Sequence, residues 1–246
     1  MIIDSHLHLR DDVYVGPEGT PDEILRMMDG AGVDKSVVFK IWCSTNESIR
    51  AGEEAAETAP DRLLPYAYAA PAYDRPVLAE LDAALSGGPF RGIKLHAADA
   101  SMAPYLVDPV VELAGRHGVP VLIDFCGDVT AAERLAGDFP DVRIIVAHIG
   151  QYRCTSEERI DRFIASAARH ENLVLDVSGV ILHHKVRDAV RRVGATRVTW
   201  GTDGPRNTPD SADFTRMELA IVRAVPLEPQ EADAVLGTSI ASLLGL

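Results

Sequence analysis

Two histidines near the start of the chain have the spacing of metal ligands. The segment 4–8 (DSHLH) closes the apolar run 1–3 (MII), which predicts a short buried strand. Because side chains alternate across a strand, His6 and His8 point to the same face, with their Cα atoms about 6.6 Å apart. Two imidazoles on one face can bind a single metal ion at about 2.0–2.1 Å, the usual Zn–N distance. The pair therefore predicts a metal site at the end of the first strand.

The composition is that of a soluble globular protein and excludes some classes of partner. Of 246 residues, 47% are hydrophobic and 25% are charged, and the net charge is −13. A surface this acidic disfavours nucleic acid or an anionic membrane as the partner, so a small-molecule substrate is expected. We expect no membrane span and no secretory leader, because the chain has no long apolar stretch and no basic-then-apolar start. Three irregularly spaced cysteines predict a reducing cytoplasm, and a homodimer is the default expectation.

Short β-like runs alternate with helical segments along the chain. Most runs are continuously apolar, as expected for parallel strands covered by helices. The predicted strands are 2–7, 36–40, 64–69, 91–96, 119–125, 143–148, 173–178 and 197–202. The segments between them are rich in Ala, Leu, Glu and Arg, and they predict helices over 21–31, 46–59, 74–86, 104–117, 129–138, 155–170 and 183–193.

Eight strand–helix units in a chain of this length predict a (β/α)8 TIM barrel. The alternative is a doubly wound open sheet, which is disfavoured because no Gly-x-Gly-x-x-Gly turn follows the first strand. No linker, low-complexity tract or shift in composition divides the chain, so residues 1–246 are predicted to form a single domain.

Chemically reactive side chains concentrate where the predicted strands end. In a (β/α)8 barrel, the active site lies at the carboxyl ends of the strands. Four of the eight histidines stand at such ends, whereas histidines scattered over a surface would not cluster in this way. The cluster predicts a metal or acid–base site, and its members are His6, His8, Lys94, His96, Asp124, His148, Asp176 and Asp203.

Four motifs have the order and spacing of one known family. They are 4–8 (DSHLH), 91–96 (RGIKLH), 145–150 (IVAHIG) and 200–205 (WGTDGP). Together they resemble the amidohydrolase superfamily, and more narrowly its amidohydrolase-2 branch, which includes metal-dependent hydrolases and the aminocarboxymuconate-semialdehyde decarboxylase type. The segment 236–246 is similar to the terminal helix of that branch, with Ser239 where an asparagine is usual.

The resemblance implies a role for each matched residue at the metal. His6 and His8 match the paired ligands of one divalent ion, expected to be zinc, with manganese or iron as alternatives. Asp203 matches the last-strand aspartate, which binds the metal and shuttles a proton from the attacking water. His148 matches the histidine that polarises the substrate or assists proton transfer.

Four residues are predicted to contact the substrate. The resemblance implies that Lys94 and His96 match a fourth-strand Lys-x-His pair at the substrate. Lys94, Arg10 and Arg153 are also cations that could anchor a substrate carboxylate, and the arginine fork suits that geometry particularly well.

The fifth strand departs from the family pattern. A metal-ligating histidine is usual there, but this chain reads 121–127 (VLIDFCG), with Asp124 in its place. A carboxylate can ligate Zn²⁺, Mn²⁺ or Fe²⁺, so the predicted ligands are His6, His8, Asp124 and Asp203. The added negative charge should weaken the ion as a Lewis acid and shift the preference towards harder ions. Alternatively, the metal is lost and Asp124 serves another purpose.

Other residues near the strand ends have structural interpretations. Asp4 is expected to be a structural carboxylate at the strand end, in a position to support a ligand histidine. Asp176 fits a buried core carboxylate as well as it fits a site residue. Trp42 and Tyr152 follow predicted strands and could form apolar walls for a ring-bearing substrate.

These residues leave the reaction open. The leading hypothesis is metal-dependent hydrolysis of a C–O or C–N bond in a small carboxylated or cyclic substrate. A non-oxidative decarboxylase of a ring or muconate-type acid would use the same ligands, whereas a metal-independent lactonase would suit Asp124 better. A non-catalytic binding barrel is disfavoured because it would not need the histidines and Asp203 together.

Overall fold

Eight parallel β-strands, paired in chain order, form the barrel in the computed structural model, which describes residues 1–10, 19–71, 77–100, 102–206 and 210–246. The first residue of each predicted strand lies within two residues of the first residue of an observed strand, and the (β/α)8 TIM barrel is confirmed. The strands are β1 (Ile3–His8), β2 (Lys35–Phe39), β3 (Leu63–Tyr68), β4 (Gly92–His96), β5 (Val121–Asp124), β6 (Ile144–Val146), β7 (Leu173–Asp176) and β8 (Val198–Thr199).

The segment that follows β8 closes the barrel against β1. Backbone hydrogen bonds join Ser5 N to Trp200 O at 2.9 Å and Asp203 N to His6 O at 2.8 Å. His8 N then donates to Gly204 O at 2.8 Å. These bonds rule out the open doubly wound sheet, because its first and last strands would not pair. They also bring the first and last motifs of the sequence side by side.

Helices cover the outside of the barrel. All seven predicted helices are present, although residues 74–76 of the predicted helix 74–86 lie outside the described residues. Among the described residues, no helix combines the length and the apolar character that a membrane span requires. The helices are α1 (Pro21–Ala31), α2 (Thr45–Thr58), α3 (Val77–Gly87), α4 (Ala97–Ala100), α5 (Pro104–His117), α6 (Val129–Asp138), α7 (Glu157–Arg169), α8 (His184–Val193), α9 (Ser211–Ala224), α10 (Pro229–Asp233) and α11 (Ser239–Leu244).

The interior of the barrel is apolar near the amino ends of the strands and polar near their carboxyl ends. Ile240 and Ala241 of α11 pack against the apolar layer and close that end. The layer consists of Ile3, Val37, Leu64, Tyr66, Leu122, Ile145 and Val174, and the same apolar cluster extends to Phe39 and Ala147 at the carboxyl ends. Because this end is filled by side chains, the open space for a ligand lies at the carboxyl end, where the reactive residues are.

Substitution of Gly92 tests how tightly the barrel interior is packed. A Cβ atom there would lie 2.6 Å from Cζ of the fully buried Tyr66 ring, so we expect Gly92→Ala to lower the free energy of unfolding by about 1–3 kcal/mol. The matched control is Gly87→Ala at the end of α3, where an added Cβ meets nothing within 4 Å. Urea denaturation of both variants checks this, and equal unfolding free energies would contradict the packing described.

Candidate metal centre

Three ligand atoms converge at the carboxyl end of the barrel. His8 Nε2 lies 2.9 Å from Asp203 Oδ1, and His6 Nε2 lies 3.3 Å from the same oxygen. These three atoms lie within 4.8 Å of one another, and all three residues are buried. Asp203 has a left-handed backbone, with φ of 54°, a strained conformation for a residue other than glycine. The structure thus brings together the first-strand pair and the last-strand aspartate, as the sequence predicts.

Asp176 on β7 fixes the orientation of the His6 ring. His6 Nδ1 donates to Asp176 Oδ2 at 2.9 Å. The same carboxylate accepts hydrogen bonds from Ser178 N at 3.1 Å, from His148 N at 3.3 Å and from the Ser178 hydroxyl. A carboxylate in this position holds a ligand histidine in one tautomer and raises the basicity of its other nitrogen. Asp176 therefore contacts the cluster through His6, and its interpretation as a site residue stays a prediction.

The tautomer of His6 leaves two acceptors facing each other. Burial lowers the pKa of His6, and the charge of Lys94 lowers it further, so the ring is neutral. With its proton on Nδ1, the lone pair of Nε2 faces Asp203 Oδ1 at 3.3 Å. Two ligands bound tetrahedrally at about 2.0–2.1 Å are about 3.3–3.4 Å apart, so a divalent cation suits this pair of acceptors. The donor set therefore fits a metal ion.

The charges of His8 and Asp203 follow from burial and from their mutual contact. Burial lowers the pKa of His8 to about 3, although the hydrogen bond and charge of Asp203 oppose this. Burial also disfavours the Asp203 carboxylate. The hydrogen bond that His8 Nε2 donates and the neighbouring imidazoles outweigh that effect and hold the pKa of Asp203 well below its usual range. At neutral pH the site therefore holds a neutral His8 imidazole and a carboxylate, and a metal ion would take the place of the proton that lies between His8 Nε2 and Asp203 Oδ1.

His148 stands beside the three converging atoms. Its ring stacks on His6 with centroids 4.8 Å apart, and Nδ1 donates to the backbone oxygen of Ser178 at 2.8 Å. Nε2 therefore faces the cavity, 3.6 Å from Asp124 Oδ2 and 3.9 Å from Asp203 Oδ1. The predicted strand 143–148 ends earlier, at Val146, and a 3-10 turn over Ala147–Gly150 carries His148 with φ of 60°.

Asp124 belongs to a neighbouring cluster. Its Oδ1 accepts from Cys126 N at 2.8 Å, and its Oδ2 lies 3.5 Å from His96 Nε2. The group of potential ligands that contains Asp124 is completed by His96 and Cys126, and is distinct from the group of His6, His8 and Asp203. Burial opposes ionisation, but the charges of His148 and Lys94 outweigh it and lower the pKa of Asp124. Asp124 as a fourth ligand of the first group stays a prediction.

Three of the four predicted substrate residues, Lys94, His96 and Arg10, line the cavity beside this centre. A cavity of about 270 Å³ is lined by His6, His8, Arg10, Ile41, Trp42, Lys94, His96, Asp124, His148, Tyr152, Asp203 and Arg206. Lys94 is buried, with Nζ 5.1 Å above the Phe39 ring. Arg153 is exposed and is absent from the lining, so its role as an anchor stays a prediction. The predicted walls Trp42 and Tyr152 both line the cavity.

Sequence reasoning missed Arg206. Its Nη2 donates to Asp203 Oδ2 at 2.7 Å, so the two oxygens of Asp203 face different partners. The signal available in the sequence was its place directly after the motif 200–205, which carries Asp203. A single arginine after a strand has no periodic sequence pattern from which its position in the cavity could be predicted.

Asp4 supports the backbone rather than the metal ligands' rings. Its Oδ1 accepts from His6 N and Thr202 N, both at 3.0 Å, and its Oδ2 accepts from the Thr202 hydroxyl at 2.6 Å. Burial raises the pKa of Asp4 to about 7. The structural interpretation of Asp4 agrees with these contacts, which join β1 to the segment after β8.

A family model matches nearly the whole chain. Residues 3–246 match the amidohydrolase-2 family model, described as Amidohydrolase. The chain belongs to the amidohydrolase family. No curated protein matches this amidohydrolase in sequence. The resemblance read from the four motifs is thereby confirmed over nearly the whole chain.

Solved structures share the barrel at low sequence identity. An amidohydrolase from Burkholderia multivorans with bound zinc is 16% identical, with a TM-score of 0.77, over 100% of this chain and 99% of that chain. The 5-carboxyvanillate decarboxylase from Novosphingobium aromaticivorans, complexed with manganese, is 14% identical, with a TM-score of 0.76. The match covers 100% of this chain and 96% of the decarboxylase. The 2,6-dihydroxybenzoate decarboxylase from Rhizobium is 16% identical, with a TM-score of 0.72. The match covers 99% of this chain and 98% of that chain. Identity this low establishes the fold alone.

The orienting role of Asp176 can be tested by removing its charge. We expect Asp176→Asn to weaken metal affinity by about 10- to 100-fold, because the His6 ring loses its anionic acceptor. The control is Asp4→Asn, which alters another fully buried carboxylate that contacts no imidazole ring. Competition with a chromophoric chelator measures both affinities, and equal losses in the two variants would contradict a specific role for Asp176.

Proposed function

We propose that this amidohydrolase is a metal-dependent hydrolase that cleaves a C–O or C–N bond in a small carboxylated or cyclic substrate. The observation that carries the proposal is the convergence of His6 Nε2, His8 Nε2 and Asp203 Oδ1 beside a cavity. Bound zinc in the Burkholderia multivorans amidohydrolase and bound manganese in the Novosphingobium decarboxylase support a divalent ion here. Zinc is the proposed ion, with manganese or iron as alternatives.

The ion would be held by His6, His8 and Asp203. When bound, a divalent ion supplies Lewis-acid activation, which lowers the pKa of a coordinated water from 15.7 to about 7 in favourable cases. Three protein ligands with an open position are typical of a catalytic rather than a structural zinc site. The proposed fourth ligand, Asp124, would reach this position only by moving from its contacts with His96 and Cys126.

Asp203 and His148 are proposed to move protons. The Asp203 carboxylate is ionised and faces the cavity, so it can accept a proton from the attacking water and pass it to the leaving group. His148 presents Nε2 to the cavity because Nδ1 is held by Ser178 O. That nitrogen can accept a proton and, once protonated, donate a hydrogen bond to the oxygen on which negative charge develops.

The shape and charge of the cavity support a small anionic substrate. Its volume of about 270 Å³ is just below the usual range of about 300–1,000 Å³ for small-molecule sites. The cationic residues in its lining are Arg10, Lys94 and Arg206. The aromatic walls Trp42 and Tyr152 favour a planar ring over a flexible chain.

A non-oxidative decarboxylase is the second candidate. The same cations and aromatic walls would hold a ring-bearing acid, and two of the similar structures are decarboxylases of such acids, 5-carboxyvanillate and 2,6-dihydroxybenzoate. Turnover in ¹⁸O-labelled water separates the two reactions. Hydrolysis incorporates one ¹⁸O atom into the product, whereas decarboxylation releases CO₂ and leaves the organic product unlabelled.

Asp203→Asn tests the proposed chemistry. We expect turnover of the best substrate from a screen of lactones, esters, amides and aryl carboxylates to fall by about 10²- to 10⁴-fold, because the amide cannot accept the proton. The control is Asp128→Asn at the N-cap of α6, where asparagine caps equally well and activity should persist. Thermal melting monitors folding. Undiminished turnover by folded Asp203→Asn would contradict the proposal.

A further inference from the structure

Arg206 is fixed at the cavity by two partners that use the same nitrogen. Nη2 donates to Asp203 Oδ2 at 2.7 Å and to the Tyr152 hydroxyl at 3.0 Å. The guanidinium carbon also lies 5.7 Å from the centroid of the Tyr152 ring, within the range of a cation–π contact. Two hydrogen bonds and a ring face together define the plane of the guanidinium group.

Among the described residues, Nε and Nη1 of Arg206 have no hydrogen-bond partner. Within residues 1–10, 19–71, 77–100, 102–206 and 210–246, the hydrogen bonds of this side chain all come from Nη2. The side chain lines the cavity and is 31% exposed, so a ligand in the cavity can contact it. A guanidinium group carries five donors in a rigid fork, and an unused edge of that fork matches the two oxygens of a carboxylate.

The other cations of the cavity are less suited to this task. Lys94 is a point charge, 1% exposed, and it lies over the Phe39 ring. Arg10 lies at the border between this cavity and a second one lined by Lys40 and Glu47. Arg206 instead directly adjoins Asp203, so a carboxylate on its free edge would lie next to the proposed reaction centre.

The net charge of the cavity also favours an anion. Two carboxylates, Asp124 and Asp203, face three cationic side chains in the lining. A divalent ion at the metal centre would add two positive charges, and an anionic substrate would offset part of that excess. A neutral substrate would leave the free edge of Arg206 without an acceptor.

We propose that Arg206 is the residue that recognises a carboxylate group of the substrate, with Asp203 and Tyr152 fixing the plane of its guanidinium group. The substrate class is a planar ring that carries this carboxylate. The inference rests on the proposed function, since it takes the cavity beside the metal centre as the substrate site. Arg206 also restrains the second oxygen of Asp203, and it therefore couples substrate recognition to the residue that moves the proton.

Binding of a charged probe and a neutral probe of the same shape tests this proposal without turnover. Benzoate and benzamide are titrated by calorimetry into metal-loaded wild-type protein and into Arg206→Gln. We expect Arg206→Gln to weaken benzoate binding on the order of 10- to 100-fold and to leave benzamide binding unchanged, because only benzoate needs a charged donor pair. The matched control is Arg162→Gln on the exposed surface of α7, which should change neither affinity.

Two further variants separate recognition from a structural effect. Arg206→Lys keeps the charge and loses the fork, so its benzoate affinity should lie between those of wild type and Arg206→Gln. Tyr152→Phe removes only the hydroxyl that positions Arg206, so we expect a smaller loss confined to benzoate. Metal content and thermal melting are measured for every variant.

The proposal is overturned if wild-type protein binds both probes equally or binds neither. It is also overturned if Arg206→Gln retains benzoate affinity or loses both probes in parallel. Failure of the proposed function would look different, because absent metal or absent turnover leaves the ratio of the two probe affinities intact. Selective loss of benzoate in Arg206→Gln therefore supports the inference whatever reaction the site performs.

Discussion

The hydrogen bond from His6 Nδ1 to Asp176 Oδ2 determines which atom of His6 faces the cavity. It joins β1 to β7, two strands that are not neighbours, so it forms only when the barrel is closed through β8. With Nδ1 occupied, Nε2 must face Asp203 Oδ1, and the two acceptors lie 3.3 Å apart. The fit of a divalent ion follows from this arrangement, because a cation between Nε2 and Oδ1 would bind both acceptors.

Three of the buried carboxylates at this end of the barrel have different pKa values because their partners differ. Asp4 is surrounded by neutral donors, so burial dominates and its pKa is raised to about 7. Asp176 and Asp203 face imidazole groups, and those contacts outweigh burial and lower their pKa values. A buried carboxylate without a cationic or well-oriented donor is costly, so this arrangement restricts ionised groups to the end of the barrel that faces the cavity. The apolar layer near α11 excludes water from the opposite end.

Much of the fold could be predicted from the sequence because its strands are continuous apolar runs and its helices have distinct compositions. The first-strand histidines and Asp203 could be paired because the carboxyl ends of barrel strands share one face. Loop geometry could not be predicted in this way. The 3-10 turn that carries His148, the turn of Asp124 towards Cys126 and the contacts of Arg206 all depend on tertiary packing after a strand has ended. Such contacts have no periodic pattern in the sequence.

A crystal structure with anomalous diffraction measured at the zinc, manganese and iron edges would show whether His6, His8 and Asp203 bind a metal ion. Protein purified without a chelator or a histidine tag would be used. We expect one strong anomalous peak about 2.0–2.2 Å from His6 Nε2, His8 Nε2 and Asp203 Oδ1. The absence of a peak there after incubation with all three metals, or a peak only between His96, Asp124 and Cys126, would contradict this expectation.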